Sequence, residues 1–252
     1  MKKMNFISAA IASMACLFVF TSCQDTDIDG IVPVDHSARS VPDLTNGQNN
    51  IYPDQKLLFG KSNQQWSTEW WKTIMSYDCV HNPLNQQSLS VTVNQASPVV
   101  FLSGMPSGIS ERTIEVTRDK ALFVPIINVL KEYPSTNTDQ NPRPGQTVEQ
   151  FLKAEAAKYV NLATNMKVVL DRDVIKITAK DRVATDMFYF KRNKDLAGCV
   201  GQAVTGQLQV GVSDGYWIVI DHLSPGRHTL HTHAEILATG IVPDVYYNII
   251  VR

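Results

Sequence analysis

GYWIVIDHLSPGRHTLHTHAE, Gly215 to Glu235, is the stretch whose reading decides the fold. Tyr216 to Leu223 is a run of aromatic and β-branched residues, the composition of a buried strand. Ser224-Pro225-Gly226-Arg227 follows as a tight turn. Proline at the second position presets φ and glycine at the third supplies φ > 0, which suits type II geometry. The return strand carries His228, His231 and His233, so the stretch predicts a β-hairpin. Four of the six histidines of the chain lie between His222 and His233, making this segment its one chemical cluster as well.

Working outward, Gln207 to Val212 and Val245 to Val251 read as further strands, so the chain closes as a set of antiparallel strands. Upstream, Leu89 to Val93 and Thr113 to Thr117 alternate apolar and polar residues, Val99 to Leu102 is a short apolar run, and Ala121 to Leu130 (ALFVPIINVL) is almost wholly apolar. Pro125 cannot donate to a ladder, which predicts a bend, a bulge or an edge position there. Lys131 to Gln146 reads as a surface loop. Val168 to Leu170 and Val174 to Ala179, split by Asp171-Arg172-Asp173, predict a hairpin, and Val183 to Phe190 a further strand. Asp195 to Gly211 carries no clear pattern.

Two helices interrupt the strands. Ser62 and Gln65 fit a capping box ahead of Trp66, Trp70, Ile74 and Tyr77 at helical spacing, predicting a helix over about residues 63–76. Trp71 and Met75 form an adjoining stripe. Thr147 and Gln150 offer a second capping box before a helix that runs to about Thr164. Many short strands with two helices predict a mainly β fold, an antiparallel β-sandwich of jelly-roll or Ig-like type with about two packed helices, as one domain over residues 51–252.

The N-terminal end gives an address. Residues 1–22 carry Lys2 and Lys3 ahead of an apolar run from Phe6 to Phe20, too short for an ordinary membrane span. The run ends in Phe20-Thr21-Ser22-Cys23, which resembles a bacterial lipobox, with Phe20 in place of the usual leucine. Cys23 is then the lipidated residue and the membrane the partner reached through it, since several acyl chains anchor durably where one is marginal. Gln24 after the cysteine points to the outer membrane, and Asp25, Asp27 and Asp29 resemble a Bacteroidetes-type surface-export signal. Residues 23–50 are rich in Asp, Asn, Gly, Ser and Pro and read as a flexible acidic tether. As a coil its roughly 27 residues span about 30 Å.

The formal charge of the whole chain is −1. The leader takes two lysines and no carboxylate with it, so the remainder is more acidic still and carries no basic footprint for nucleic acid. Outside the leader and Cys23 the cysteines are Cys79 and Cys199. An oxidising compartment allows them to pair as a disulfide, and two buried free thiols are the alternative.

The chain resembles an uncharacterised family of secreted bacterial proteins. The likeness rests on the Trp-rich opening (Trp66, Trp70, Trp71 and then Asn82-Pro83), on a central segment (Val99 to Gly104, Arg112, Lys120 to Ile126), and on an ending that holds Asp214 to Trp217, Leu223, Pro225, Gly226, His228, Asp244, Val245 and Tyr247. It covers most of residues 60–252 and implies one secreted domain without naming a reaction. A cysteine pair bracketing the central strands, frequent in that family, is missing here, where Ile114 stands at one of its places.

Two chemistries compete for the histidines. Residues two apart on a strand share a face, so His231, His233 and Glu235 project together and form a candidate ligand set for a divalent metal in an enzyme. The same alternation gives Leu230, Thr232, Ala234 and Ile236 to the core, which leaves the histidines on the polar face as surface residues. The spacing is not that of a cupin, and His228 is expected to bond within the turn. No P-loop, GxGxxG, HExxH, paired CxxC or GxSxG pattern occurs. Asp221-His222 lacks a marked serine partner, and Arg112 and Lys120 suggest an anion site or a structural ion pair. The reading that leads is a lipid-anchored, non-enzymatic binding or structural module for glycan or envelope protein, with Trp71 and Trp217 as candidate ligand-binding aromatics.

Overall fold

The structure is a computed structural model that describes residues 51, 57–89, 96–134, 141–200 and 206–252. The leader, Cys23, the tether and the middle of the expected 131–146 loop lie outside the described residues.

The fold is mainly β, with two sheets packed as a sandwich and helices against it. In chain order the strands are β1 (Ser88–Leu89), β2 (Val99–Phe101), β3 (Gly108–Val116), β4 (Ala121–Tyr133), β5 (Thr164–Leu170), β6 (Asp173–Ile175), β7 (Arg182–Ala184), β8 (Phe188–Lys191), β9 (Leu208–Ile220), β10 (Gly226–Glu235) and β11 (Pro243–Val251). The helices are α1 (Asn63–Ser76), α2 (Val148–Val160) and the single turn α3 (Ala197–Val200). A six-stranded sheet has the order β1-β3-β11-β10-β5-β6, and a second sheet the order β2-β4-β9-β7 with β8 also on β9.

Both capping boxes close as read. Gln65 N–H donates to Ser62 Oγ and Ser62 N–H to Gln65 Oε1 at α1, and Thr147 and Gln150 do the same at α2. The second helix stops at Val160, earlier than its pattern suggested, because Asn161 caps it and Leu162 turns out to solvent. The bulge expected at Pro125 is present, as a register shift between Pro125 and Ile127 where β4 faces β9.

The layers explain the sequence patterns. Trp66, Trp70 and Ile74 of α1 bury against Phe101, Phe123, Trp217 and Val219 on one face of the second sheet. Its other face shares a core with the six-stranded sheet, joined by Leu152, Ala156 and Val160 of α2. The second sheet is therefore covered on both sides, which is why β4 and β9 are apolar without alternation. The six-stranded sheet is covered on one side, and β3, β10 and β11 alternate buried and open positions accordingly.

This layering corrects the hairpin reading. β9 and β10 do not pair; the segment between them, with His222 at φ 48° and Gly226 at φ 140°, carries the chain from one sheet to the other. Most strand pairs are antiparallel, as read, but β1–β3, β3–β11 and β2–β4 are parallel. They arise because the chain shuttles between sheets, β2 and β4 being separated in sequence by β3 on the other side of the core.

Candidate functional site

The outer face of the six-stranded sheet has no helix laid over it among the described residues, and it holds the histidines. The backbone register lines up Glu111 of β3, Tyr246 of β11, His231 of β10, Val169 of β5 and Val174 of β6 in one row across five strands. Four interstrand steps make the row about 19 Å long. A second row runs Ile109, Asp244, His233, Lys167. Ile109, Tyr246 and Val174 on this face are 55%, 44% and 65% exposed.

His231 and Tyr246 stack with ring centroids 4.2 Å apart and planes 7° from parallel. That stacking leaves the ring edge of His231 free for polar contact, and its Nε2 lies 2.6 Å from Asp244 Oδ1. His233 sits between two carboxylates, with Nδ1 3.7 Å from the same Asp244 oxygen and Nε2 3.3 Å from Glu235 Oε1. Glu235 is fixed in turn by Asn165, whose Nδ2 donates to Oε2 at 2.8 Å. Asn165 stands at φ 51° where the β5–β10 register shifts, a left-handed position that asparagine tolerates better than most residues. Each of the four acid and imidazole side chains is about a quarter exposed or less.

The structure thus puts His231, His233 and Glu235 on one face, as the alternation required, and adds Asp244, Tyr246 and Asn165. Asp244 and Tyr246 were readable in principle, because β11 alternates and pairs with β10. The registers that bring them opposite His233 and His231 were not. His231 Nε2 and both ring nitrogens of His233 face carboxylates, and among the described residues no group of three or more His, Cys, Asp or Glu side chains is placed to hold a metal ion.

His228, by contrast, is part of the frame. Its Nδ1 lies 2.9 Å from Asp171 Oδ2 and its Nε2 2.8 Å from the Ser224 carbonyl oxygen. Asp171, at φ 56° in the β5–β6 turn, also accepts from Thr229 N–H at 2.9 Å. The bond to Ser224 is the one expected within the turn, and the bond to Asp171 locks the inter-sheet corner to the neighbouring turn. His222 and Asp221 lie against one another beyond the end of β9, with no serine partnered to them among the described residues.

Three other readings are corrected. Trp71 is 6% exposed with its indole N–H on Ser213 Oγ at 2.7 Å, and Trp217 is fully buried and stacked on Phe123 at 4.8 Å. Both are core residues, Trp71 projecting from α1 and Trp217 from the face of the second sheet that α1 covers, so neither forms an exposed ligand platform. Arg112 pairs with no carboxylate among the described residues, and backbone carbonyls take its donors. It is 2% exposed, and its guanidinium donates to the carbonyls of Ser103, Gln87, Glu111, Pro83 and Gln86 at 2.6 to 3.0 Å. Burial pushes its pKa down. Lys120 likewise donates to a carbonyl, that of Ser97, at 2.9 Å. Beside Arg112 the Tyr247 hydroxyl is buried, and that burial drives its pKa well up.

Cys79 and Cys199 are paired, with Cα atoms 5.8 Å apart, inside the span that a disulfide bridges. They join the turn after α1 to α3.

Comparison with family models, with curated proteins and with solved structures finds no match to this chain.

Proposed function

We propose that this chain is a lipid-anchored protein of the outer membrane, held through Cys23 and carried clear of the lipid by residues 24–50, whose sandwich is a non-enzymatic binding module for envelope glycan. The observation that carries the reading is the open sheet face on which Tyr246, stacked on His231, is ringed by Asp244, Glu111 and Ile109. A half-exposed aromatic supplies apolar contact at low conformational cost, and flanking carboxylates and imidazoles supply hydrogen bonds to hydroxyl groups. The alternative is a metal-dependent enzyme with His231, His233 and Glu235 as ligands, although among the described residues no group of three or more His, Cys, Asp or Glu side chains is placed to hold a metal ion.

The test is retention of the purified full chain, in detergent, on arrays of envelope polysaccharides, beside a Tyr246→Ala/His231→Ala variant. Retention lost in a variant that melts like the parent supports the face as the binding surface. No retention by the parent, or full retention by the variant, refutes it. Elemental mass spectrometry on the same untagged sample is expected to find substoichiometric metal. A full equivalent that vanishes in His231→Ala/His233→Ala would favour the enzyme.

A further inference from the structure

On the outer face of the six-stranded sheet the charges divide by strand. Glu111 of β3 and Asp244 of β11 lie to one side of β10, while Lys167 of β5 and Lys176, just after β6, lie to the other. Glu111, Lys167 and Lys176 are exposed. Both imidazole contacts of Asp244 use Oδ1, which leaves Oδ2 for a second partner. Three further carboxylates near the face are taken up within the chain: Glu115 by Arg252 at 3.0 Å, Asp171 by His228 and the Thr229 N–H, and Glu235 by Asn165. Between the charged margins Tyr246, His231 and Val169 share one row, with the exposed Val174 at its end.

A face divided in this way is complementary to itself. A half-turn about an axis running along β10 lays it on the same face of a second copy, keeps the rows in register and exchanges left for right. β11 then covers β5 of the second copy, and β3 covers its β6. Asp244 stands over Lys167 and Tyr246 over Val169, each contact occurring twice, as an isologous interface requires. Glu111 meets the end of β6, where Val174 offers an apolar contact and Lys176 a cation. A half-turn across the strands would set β3 on β3 and β11 on β11, carboxylate against carboxylate, so charge selects the first axis. Facing sheets stack about 10 Å apart, a gap that an aspartate and a lysine stem bridge between them.

We infer that a second copy of this chain covers the outer face, in a two-fold dimer that masks the surface offered to glycan. This rests on the envelope-glycan reading above and names the regulation of that site, since the pairing holds Tyr246 and His231 inside the interface. Area sets its strength. The face is about 19 Å across and the ten residues of β10 rise about 30 Å along it, so each copy gives roughly 600 Å² and the pair about 1,200 Å². That is the lower end for specific interfaces, so the dimer is weak and exchanges with free chain, as a mask that ligand displaces must. Arg227 and Glu235, at the two ends of β10, lie on the axis at the rim, where water screens them.

The experiment is sedimentation equilibrium of the full chain in density-matched detergent, from micromolar to submillimolar concentration. The parent is expected to dimerise reversibly across that range, and less so at high salt. Lys167→Glu and Asp244→Lys each set like charges opposite one another twice, and each is expected to weaken the dimer by about tenfold or more. An equimolar mixture of the two variants rebuilds both pairs in one mixed dimer and is expected to recover the parent's affinity, which a folding defect would not do. Retention of Lys167→Glu on the envelope polysaccharide arrays is expected to exceed that of the parent at equal concentration. A monomeric parent, a dimer that Lys167→Glu leaves intact, or a mixture no tighter than either variant would overturn the inference. So would a dimer opened by Lys167→Glu with no gain in retention over a parent that is retained. Should Asp244→Lys fail to fold, Lys167→Glu decides alone, provided it melts like the parent. No retention of either chain, with the dimer and its charge dependence intact, would remove the proposed function and leave the pairing of the copies standing.

Discussion

Arg112 shows what one residue does for this fold. It is a cation sealed in the core with no carboxylate beside it among the described residues, and five carbonyl oxygens share its charge. Three of them belong to Pro83, Gln86 and Gln87, a segment whose backbone pairing is one 3-10 turn and the bond from Glu111 N–H to the Gln87 carbonyl. The guanidinium therefore supplements a sparse ladder here, bonding the Pro83 and Gln86 carbonyls and sharing that of Gln87. Its fork of five N–H donors fits that task, whereas a lysine ammonium places three donors at one point. Arg112→Met is expected to cost at least about 3 kcal/mol, since several buried carbonyls lose their partner at once. Arg112→Lys is expected to recover only part of this. Urea melts check both, as a lowered midpoint with an unchanged slope. In the sequence, the alternation of Arg112 with Ile114 and Val116 already pointed its side chain inward. Its partners, some 25 residues upstream, follow no spacing rule, and the anion and ion-pair readings failed there.

At the scale of the element, local chemistry was legible and pairing was not. Capping boxes act within four residues and proline acts at its own position, so α1, the start of α2 and the bulge at Pro125 stand where the sequence put them. The hairpin reading of 215–235 failed because a turn motif fixes the direction of the chain and not the neighbour it meets. The clue was present in the patterns. Adjacent strands of one sheet share both of its faces, so an unbroken apolar run such as YWIVI and an alternating one such as LHTHAE belong to different sheets. The candidate site inherits the consequence, since only a strand in the sheet with an open face can show His231 and His233 to solvent. For α2, the hold on the sandwich is partly electrostatic. Glu149 in its first turn meets Lys153 at 2.8 Å and the Met187 N–H at 3.4 Å, and Lys153 reaches Asp186 at 3.0 Å. The hydrogen bond from Lys153, then that from Met187, lowers the pKa of Glu149. A carboxylate lowered on folding stabilises above its unfolded value, about 4.3, and loses that contribution as pH falls through its lower folded value. Thermal melts of Glu149→Gln are thus expected to lie below those of the parent at neutral pH and to converge with them as pH falls below the unfolded value of about 4.3.

For the whole molecule, the disulfide decides how the α1 layer stays on the sandwich. Cys79 and Cys199 close a loop across 120 residues that contains most of both sheets. The seam they join is also held by Asn193, whose backbone N–H donates to Met75 C=O at 2.8 Å and whose side chain donates to Ser76 C=O at 3.0 Å. Removing the bond should therefore loosen the seam without unmaking it. Cys79→Ala/Cys199→Ala is expected to lower unfolding free energy by about 2–4 kcal/mol, with long closed loops at the upper end. Amide exchange is expected to rise at the end of α1 and around α3 and to stay unchanged along β10 and β11. An unchanged denaturation midpoint would mean that the pair contributes nothing to the folded chain. The same two cysteines tie the fold to the proposed address, because a bond of this kind persists outside the reducing cytosol. Chain recovered from the membrane fraction and denatured without reductant is expected to show no free thiol, Cys16 having left with the leader, Cys23 carrying lipid and the other two bonded. One thiol per chain would leave Cys23 unmodified and remove the anchor. Two would leave Cys79 and Cys199 apart and remove the clasp, while the anchor stood.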